Sequence, residues 1–188
     1  MTSHIIDGET TTILFNNHMT GLIDTCDVWL MQNYNWYTRK DKTTGDYYVY
    51  LCHPSTTPID GYKATFLHRH ILRAPVGTFV DHINHNTLDN RRNNIRVCSY
   101  KESAQNTRAQ KDKKYSLYKG VNGSIYMKNG DVLRCKEKPW KAIILGKLIG
   151  RYKTEIDAAL AYDDKAKELF GEYAYLNFPE EMQDGQNN

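Results

Sequence analysis

The sequence contains no apolar run long enough to cross a bilayer, and Met1–Glu9 lacks the basic-then-apolar pattern of a secretion signal. The chain therefore reads as soluble and intracellular. There is no C-x-x-C pair: Cys26, Cys52, Cys98 and Cys135 stand far apart, which argues against structural zinc and for four reduced, partly buried thiols. Hydrophobic residues make up only 40% of 188 residues, enough for one large domain or two with small cores. A net charge of +3 says little by itself.

Charge distribution says more. Residues 107–153 hold 13 Lys and Arg against three Asp and Glu, residues 154–188 hold two against nine, and the first 106 residues balance at ten each. A basic block backed by an acidic one suits a protein that lays one face on a polyanion. The 14 Tyr and three Trp supply large side chains with polar handles for cores and wet interfaces.

Residues 1–10 are polar and expected to be loose. From Thr11 the signals are short and β-leaning. Thr11–Phe15 and Gly21–Asp24 read as a hairpin broken at Asn16-Asn17, and Cys26–Gln32 as a short helix. Asp46–His53 and Gly61–Leu72 read as paired strands joined by a turn over Pro54–Pro58, and a β-type run from Phe66 to Val80 leads into Asp81-His82. The sheet reads as scaffold, with Arg39, Lys40, Lys42 and Lys63 available to backbone phosphates.

The stretch from Phe79 to Asn106, FVDHINHNTLDNRRNNIRVCSYKESAQN, organises the rest. Ser99 precedes Glu102 by three residues, the spacing of a capping box, so a helix is expected to start near Ser99. A carboxylate and an imidazole at a strand end, facing polar residues on a following helix, can hold one divalent ion beside one base. Asp81 is the candidate metal ligand, because hard ions prefer carboxylate oxygen. His82 is the candidate general base, because a neutral imidazole accepts a proton near pH 7. Asn90 and Asn93 read as ordinary turn residues.

The words Val80-Asp81-His82-Ile83-Asn84, Leu88-Asp89-Asn90-Arg91 and Asn94-Ile95-Arg96 resemble the core of the HNH (ββα-metal) nucleases, in particular phage homing endonucleases. The resemblance implies that Asn94 holds the loop and orients the His82 ring. It also implies a second metal ligand on the helix, at the position Ser103 occupies. A hydroxyl is a poor ligand, and Asn106, one turn further on, is slightly preferred over Ser103. One Mg²⁺ or Mn²⁺ would bind the scissile phosphate of double-stranded DNA, and water activated by His82 would leave 3′-hydroxyl and 5′-phosphate ends. Leu67-His68-Arg69 is similar to the family's "HR" word ahead of the core. Arg91, Arg92 and Arg96 are candidate phosphate contacts, with Arg69 and Arg108 beside them. His68, His70 and His85 carry ordinary packing readings, and His68 and His70 would share a strand face.

Residues 107–116 read as a basic linker, either tracking DNA or merely solvated. Beyond it, Tyr118–Val121, Trp140–Ile144 and Leu148–Tyr152 read as strands. Thr154 caps a helix with Ile156, Ala159, Leu160, Ala166 and Phe170 at helical spacing, closed by Gly171. The words YKGV, WKA, Gly150-Arg151-Tyr152, EIDAALAYD and FGEYAYLNF resemble the APETALA-type (ethylene-response-factor-like) DNA-binding domain over about residues 115–179. That resemblance implies DNA contacts at Lys119, Asn122, Trp140, Lys141 and Arg151, with Trp140 equally placed as a core residue. Leu145 stands where an Arg is usual, and Ser124–Lys138 is an insertion. Ile156, Leu160 and Phe170 are expected in the core, and Glu155, Asp157, Asp163 and Asp164 away from DNA.

The expected fold is α+β: a β-rich scaffold plus HNH core over 11–106, the linker, an APETALA-type domain of three antiparallel strands on one helix over 117–179, and a disordered tail over 180–188. The expected function is a metal-dependent DNA endonuclease whose C-terminal module selects the site. No membrane and no organic cofactor are expected, and monomer and dimer stay open. A phage homing role and a bacterial cytoplasm follow from resemblance alone. The alternative is a non-catalytic DNA-binding regulator with a degenerate nuclease core.

Overall fold

The protein, seen in a computed structural model, is mixed α+β, with several small antiparallel sheets and few helices. The structure describes residues 3–52, 64–108, 116–123, 125–128, 131–134 and 137–179. The chain divides into two compact units, Met1–Ser103 and Ala104–Asn188. The Pro54–Pro58 turn, Lys63, most of the basic linker and the tail lie outside the described residues, as do the side chains of Cys52 and Cys135. No helix among the described residues is long and apolar enough to cross a membrane.

The first unit opens with an antiparallel meander of β1 (Ser3–Asp7), β2 (Thr10–Leu14) and β3 (Thr20–Asp24). The expectation of a loose N-terminus is corrected here. Ser3–Asp7 pairs with β2 along its whole length, and Gly8, at φ 58°, turns the chain between them. The polar composition concealed this pairing because its hydrogen bonds come from a partner strand. After a 3₁₀ turn at Thr25–Asp27 come α1 (Trp29–Asn33) and a second sheet of β4 (Tyr37–Lys40), β5 (Tyr47–Cys52) and β6 (Ala64–Phe66).

The expected long strand stops at Phe66, and Leu67–Ile71 forms α2. Leu67, His68 and Ile71 are the buried positions, at i, i+1 and i+4, a helical stripe rather than strand alternation. His68 and His70 therefore do not share a strand face, and no continuous β run leads to Asp81. A two-stranded antiparallel sheet of β7 (Phe79–His82) and β8 (Ile95–Cys98) follows, and then α3 (Tyr100–Gln105). The capping box closes as its spacing requires: Ser99 N–H donates to Glu102 Oε2 (2.7 Å) and Glu102 N–H to Ser99 Oγ (3.3 Å). One core, including Ile13, Ile23, Leu30, Trp36, Val49, Leu67 and Ile95, joins both larger sheets, α2 and β8.

The second unit holds β9 (Val121–Gly123), a separate hairpin of β10 (Ile125–Lys128) and β11 (Asp131–Arg134), β12 (Trp140–Ile144), β13 (Lys147–Tyr152) and α4 (Glu155–Phe170). The sheet order is β13-β12-β9, all antiparallel, and β10–β11 falls inside the expected insertion. Thr154 caps α4 by accepting from Asp157 N–H at 3.0 Å.

The helix buries Ala158, Ala159, Tyr162, Asp163 and Ala166 against the sheet, whereas Ile156 is 53% and Leu160 41% exposed. These two were expected in the core. Small alanines face the strands instead and permit close approach, which rotates the bulkier pair to the flank. Asp163, expected to point away from DNA, is buried and accepts from Asn177 N–H (2.9 Å), Asn177 Nδ2 (2.9 Å) and Phe178 N–H (2.8 Å), tying the segment after the helix back onto it. Burial raises its carboxyl pKa, and those three donors oppose the rise.

Gly120 lies at φ 73°, and a Cβ there would overlap the Tyr162 ring and come within 2.8 Å of the Ile143 carbonyl. Gly120→Ala is expected to destabilise the protein by about 3 kcal/mol, from left-handed strain plus overpacking, read by denaturant unfolding.

Candidate active site

The loop between β7 and β8 is held by its own asparagines. Asn94 is buried; its Oδ1 accepts from Asn84 N–H (2.9 Å), and its Nδ2 donates to the Asp89 carbonyl (2.7 Å). Asn84 Nδ2 reaches Asp89 Oδ2 at 3.0 Å. The loop is also fixed from outside. Leu22 N–H donates to the Leu88 carbonyl (2.8 Å) and Asn90 N–H to the Leu22 carbonyl (2.7 Å), so the loop runs as a parallel extension of β3. Thr87 Oγ1 donates to the Tyr47 carbonyl at 2.6 Å on the other side.

At the end of β7, Asp81 and His82 aim at different neighbours, as consecutive strand residues do. Asp81 sits opposite Arg96 in register, and Arg96 Nη2 lies 3.2 Å from Asp81 Oδ2, with side chains 12% and 13% exposed respectively. His82, only 4% exposed, packs its ring edge-to-face on His68 (centroids 4.8 Å apart) and near Tyr48 (6.1 Å). His68 is buried too, stacked on Phe66 at 5.5 Å, and its Nδ1 has no hydrogen-bond partner among the described residues. Burial lowers the His82 pKa below 6.5; Asn90, Asp81 and Asp89 oppose it. The Asn90 amide stands beside the ring without closing a hydrogen bond of ordinary geometry. At neutral pH His82 is therefore an uncharged imidazole, the form that accepts a proton.

Cys98, buried near Asp81, has its thiol pushed up by burial and then by the Asp81 charge, while Arg96 and the backbone of Ser103 pull it down. This places the Ser103 backbone at the same corner as Asp81. Asn106 is buried and belongs to the second unit. Among the described residues no group of three or more His, Cys, Asp or Glu side chains is arranged to hold a metal. The one carboxylate at this corner, Asp81, is a donor type that suits a hard divalent ion rather than zinc, and it is paired with Arg96.

The expected phosphate contacts of the first unit are engaged internally. Arg69 braces the turn before β7, donating to the carbonyls of Thr78 (2.6 Å), Pro75 (2.9 Å) and Ala74 (3.4 Å). Arg91 clamps Asp89 through Nε and Nη2, both at 2.8 Å. Arg92 clamps buried Asp27 at 3.0 and 2.7 Å, and its N–H reaches Asp24. Burial alone would raise the Asp89 carboxyl, but Arg91 and Asn84 outweigh it and hold the carboxyl below its usual 3.8. Sequence reasoning missed the Arg92 role because its partners, Asp24 and Asp27, lie far away in the chain, whereas the partners of Arg91 and Arg69 are near but no local pattern marks them.

In the second unit, Lys119 is also internal: its Nζ donates to the Gln105 carbonyl (2.7 Å) and lies over the Tyr175 ring. Trp140 packs against the core cluster. Asn122, Lys141 and Arg151 are register neighbours across β9, β12 and β13, so they form one row on a single sheet face. Asn122 and Arg151 are exposed, and Arg108 is half-buried. A cleft of about 820 Å³ in the first unit is lined by Trp29, Tyr34, Arg69, His70 and Arg73 among others, and includes neither Asp81 nor His82.

Burial holds the His68 imidazole well below 6.5, and repulsion from His82, when that ring is protonated, and from Arg69 adds to this. The folded chain keeps His68 neutral where the unfolded chain takes up a proton, so stability falls as pH drops below 6.5. In His68→Phe the pH slope of unfolding free energy below 6.5 should flatten by about one proton, measured by urea denaturation at stepped pH.

No family model matches the chain, and no solved structure matches it. Over 166 residues it is 27% identical to a protein of Acanthamoeba polyphaga mimivirus named as an uncharacterized HNH endonuclease, covering 80% of this chain and 71% of that protein. That distant likeness suggests a nuclease of the HNH type.

Proposed function

We propose that the protein is a metal-dependent DNA endonuclease of the HNH type, hydrolysing phosphodiester bonds at the corner where β7 ends. The observation that carries this reading is the loop knitted by Asn94, which fixes Asp81 and His82 at the end of a two-stranded sheet followed by a capped helix. A relative named as an HNH endonuclease adds to it.

Asp81, with Ser103 of the same unit, would hold one Mg²⁺ or Mn²⁺. When bound, the ion supplies charge stabilisation at the scissile phosphate and the leaving oxygen. His82, neutral at pH 7, takes a proton from the attacking water. Asn94 keeps the loop, and hence the His82 backbone, in place. The C-terminal sheet serves as the DNA-selecting module, with Asn122, Lys141 and Arg151 on its open face toward the duplex. Its resemblance to the APETALA-type domain supports that role, and the phage-type resemblance of the core supports a homing role.

A second reading has its own observation. His82 is nearly buried and Asp81 is already engaged by Arg96, an arrangement that suits a DNA-binding regulator retaining a nuclease core without its chemistry. Plasmid nicking separates the two. With Mg²⁺ or Mn²⁺ the wild type should nick supercoiled plasmid, EDTA should abolish nicking, and His82→Ala should slow it about 10²- to 10⁴-fold while DNA binding by gel shift persists. Salt-sensitive binding with no cleavage under any metal identifies the regulator.

A further inference from the structure

Arg96 is a candidate phosphate contact whose partner within the chain is the candidate metal ligand, Asp81. Arg91 and Arg92 grip Asp89 and Asp27 at closest distances of 2.8 and 2.7 Å, and those carboxylates belong to the scaffold. Arg96 reaches Asp81 at 3.2 Å, a longer contact, across a strand pair that sets the two residues opposite each other. Both side chains are largely shielded from water, so screening between charges at this corner is weak.

We propose that Arg96 is a built-in rival for the metal carboxylate: it occupies Asp81 in the absence of DNA and releases it when a backbone phosphate takes the guanidinium. The proposal rests on the nuclease reading, in which Asp81 binds the ion. A divalent cation on the Asp81 carboxylate would stand within a few ångströms of a fixed positive charge, so each cation weakens the other's hold on the same oxygens. A phosphate offers the guanidinium a bidentate, charge-assisted partner of comparable quality. DNA thereby favours the ion, and by thermodynamic reciprocity the ion favours DNA. Arg96 is in this sense a positioning residue. It keeps the site from loading metal before substrate arrives.

The test reads metal binding rather than cleavage. In the full chain without DNA, Mn²⁺ affinity measured by electron paramagnetic resonance should rise about tenfold or more in Arg96→Gln. It should stay near the wild-type level in Arg96→Lys, which keeps the charge, and be lost in Asp81→Asn. With a short DNA duplex added, and His82→Ala in every chain to keep the duplex whole, the scissile phosphate adds a ligand in both chains, and the Arg96 chain should gain about tenfold more Mn²⁺ affinity than the Arg96→Gln chain. Unchanged affinity in Arg96→Gln, with binding still lost in Asp81→Asn, overturns the rivalry and leaves Asp81 as the ligand. Unchanged affinity in Asp81→Asn overturns the metal reading itself, and this proposal with it. If circular dichroism shows Arg96→Gln unfolded, the wild type decides: its Arg96 side-chain NMR resonance must shift as Mg²⁺ is added, and a resonance that stays put at saturating Mg²⁺ overturns the proposal.

Discussion

The amide of Asn94 closes the loop between β7 and β8 by bonding the backbone near its start, at Asn84, and at its middle, at Asp89. A buried amide with donor and acceptor both satisfied contributes about 1 kcal/mol per hydrogen bond, and leaving its partners unmet costs more. Everything near the candidate chemistry hangs from that closure. With the loop shaped, Leu88 and Asn90 can extend the edge of β3, and Asp89 is presented to Arg91 and Asn84. The N-terminal meander is thereby more than packing bulk, because its third strand is the rail along which the loop is laid.

The same economy governs the arginines. The composition of the central stretch suggests a row of cations waiting for phosphate. In the folded first unit Arg69, Arg91, Arg92 and Arg96 each have a partner within the chain. Of these, Arg92 to Asp27 joins segments distant in sequence and fastens the loop to the turn before α1, while Arg69 and Arg91 brace their own turns. In the second unit, Asn122, Lys141 and Arg151 stand in one row across the sheet.

What was legible in the sequence follows from range. The capping box at Ser99 and Glu102, the Thr154 cap and the Gly171 stop are written within a few residues, and each appears where its spacing puts it. The antiparallel C-terminal sheet was expected from the family resemblance and not from local spacing, since β9 and β12 pair across the insertion. What depended on distant partners was not legible. β1 needed β2, α2 needed the core that receives Leu67 and Ile71, and the sidedness of α4 was decided by how closely alanines let the helix approach the sheet. At the candidate site the identity of the couplet Asp81-His82 was legible and its surroundings were not: the guanidinium on one side and the second imidazole on the other come from elements 15 and 14 residues away in the chain.

Asp163 carries a consequence for where the second unit ends. Its carboxylate is enclosed, and the donors that meet it come from Asn177 and Phe178, well past the last turn of α4. Trimming the polypeptide at Gly171 would strand an anion in an apolar interior and also remove Leu176 and Phe178 from the cluster they pack against. The smallest autonomous piece of this unit therefore extends through Phe178, and its C-terminal strap is as much a part of the hydrophobic interior as the helix it crosses.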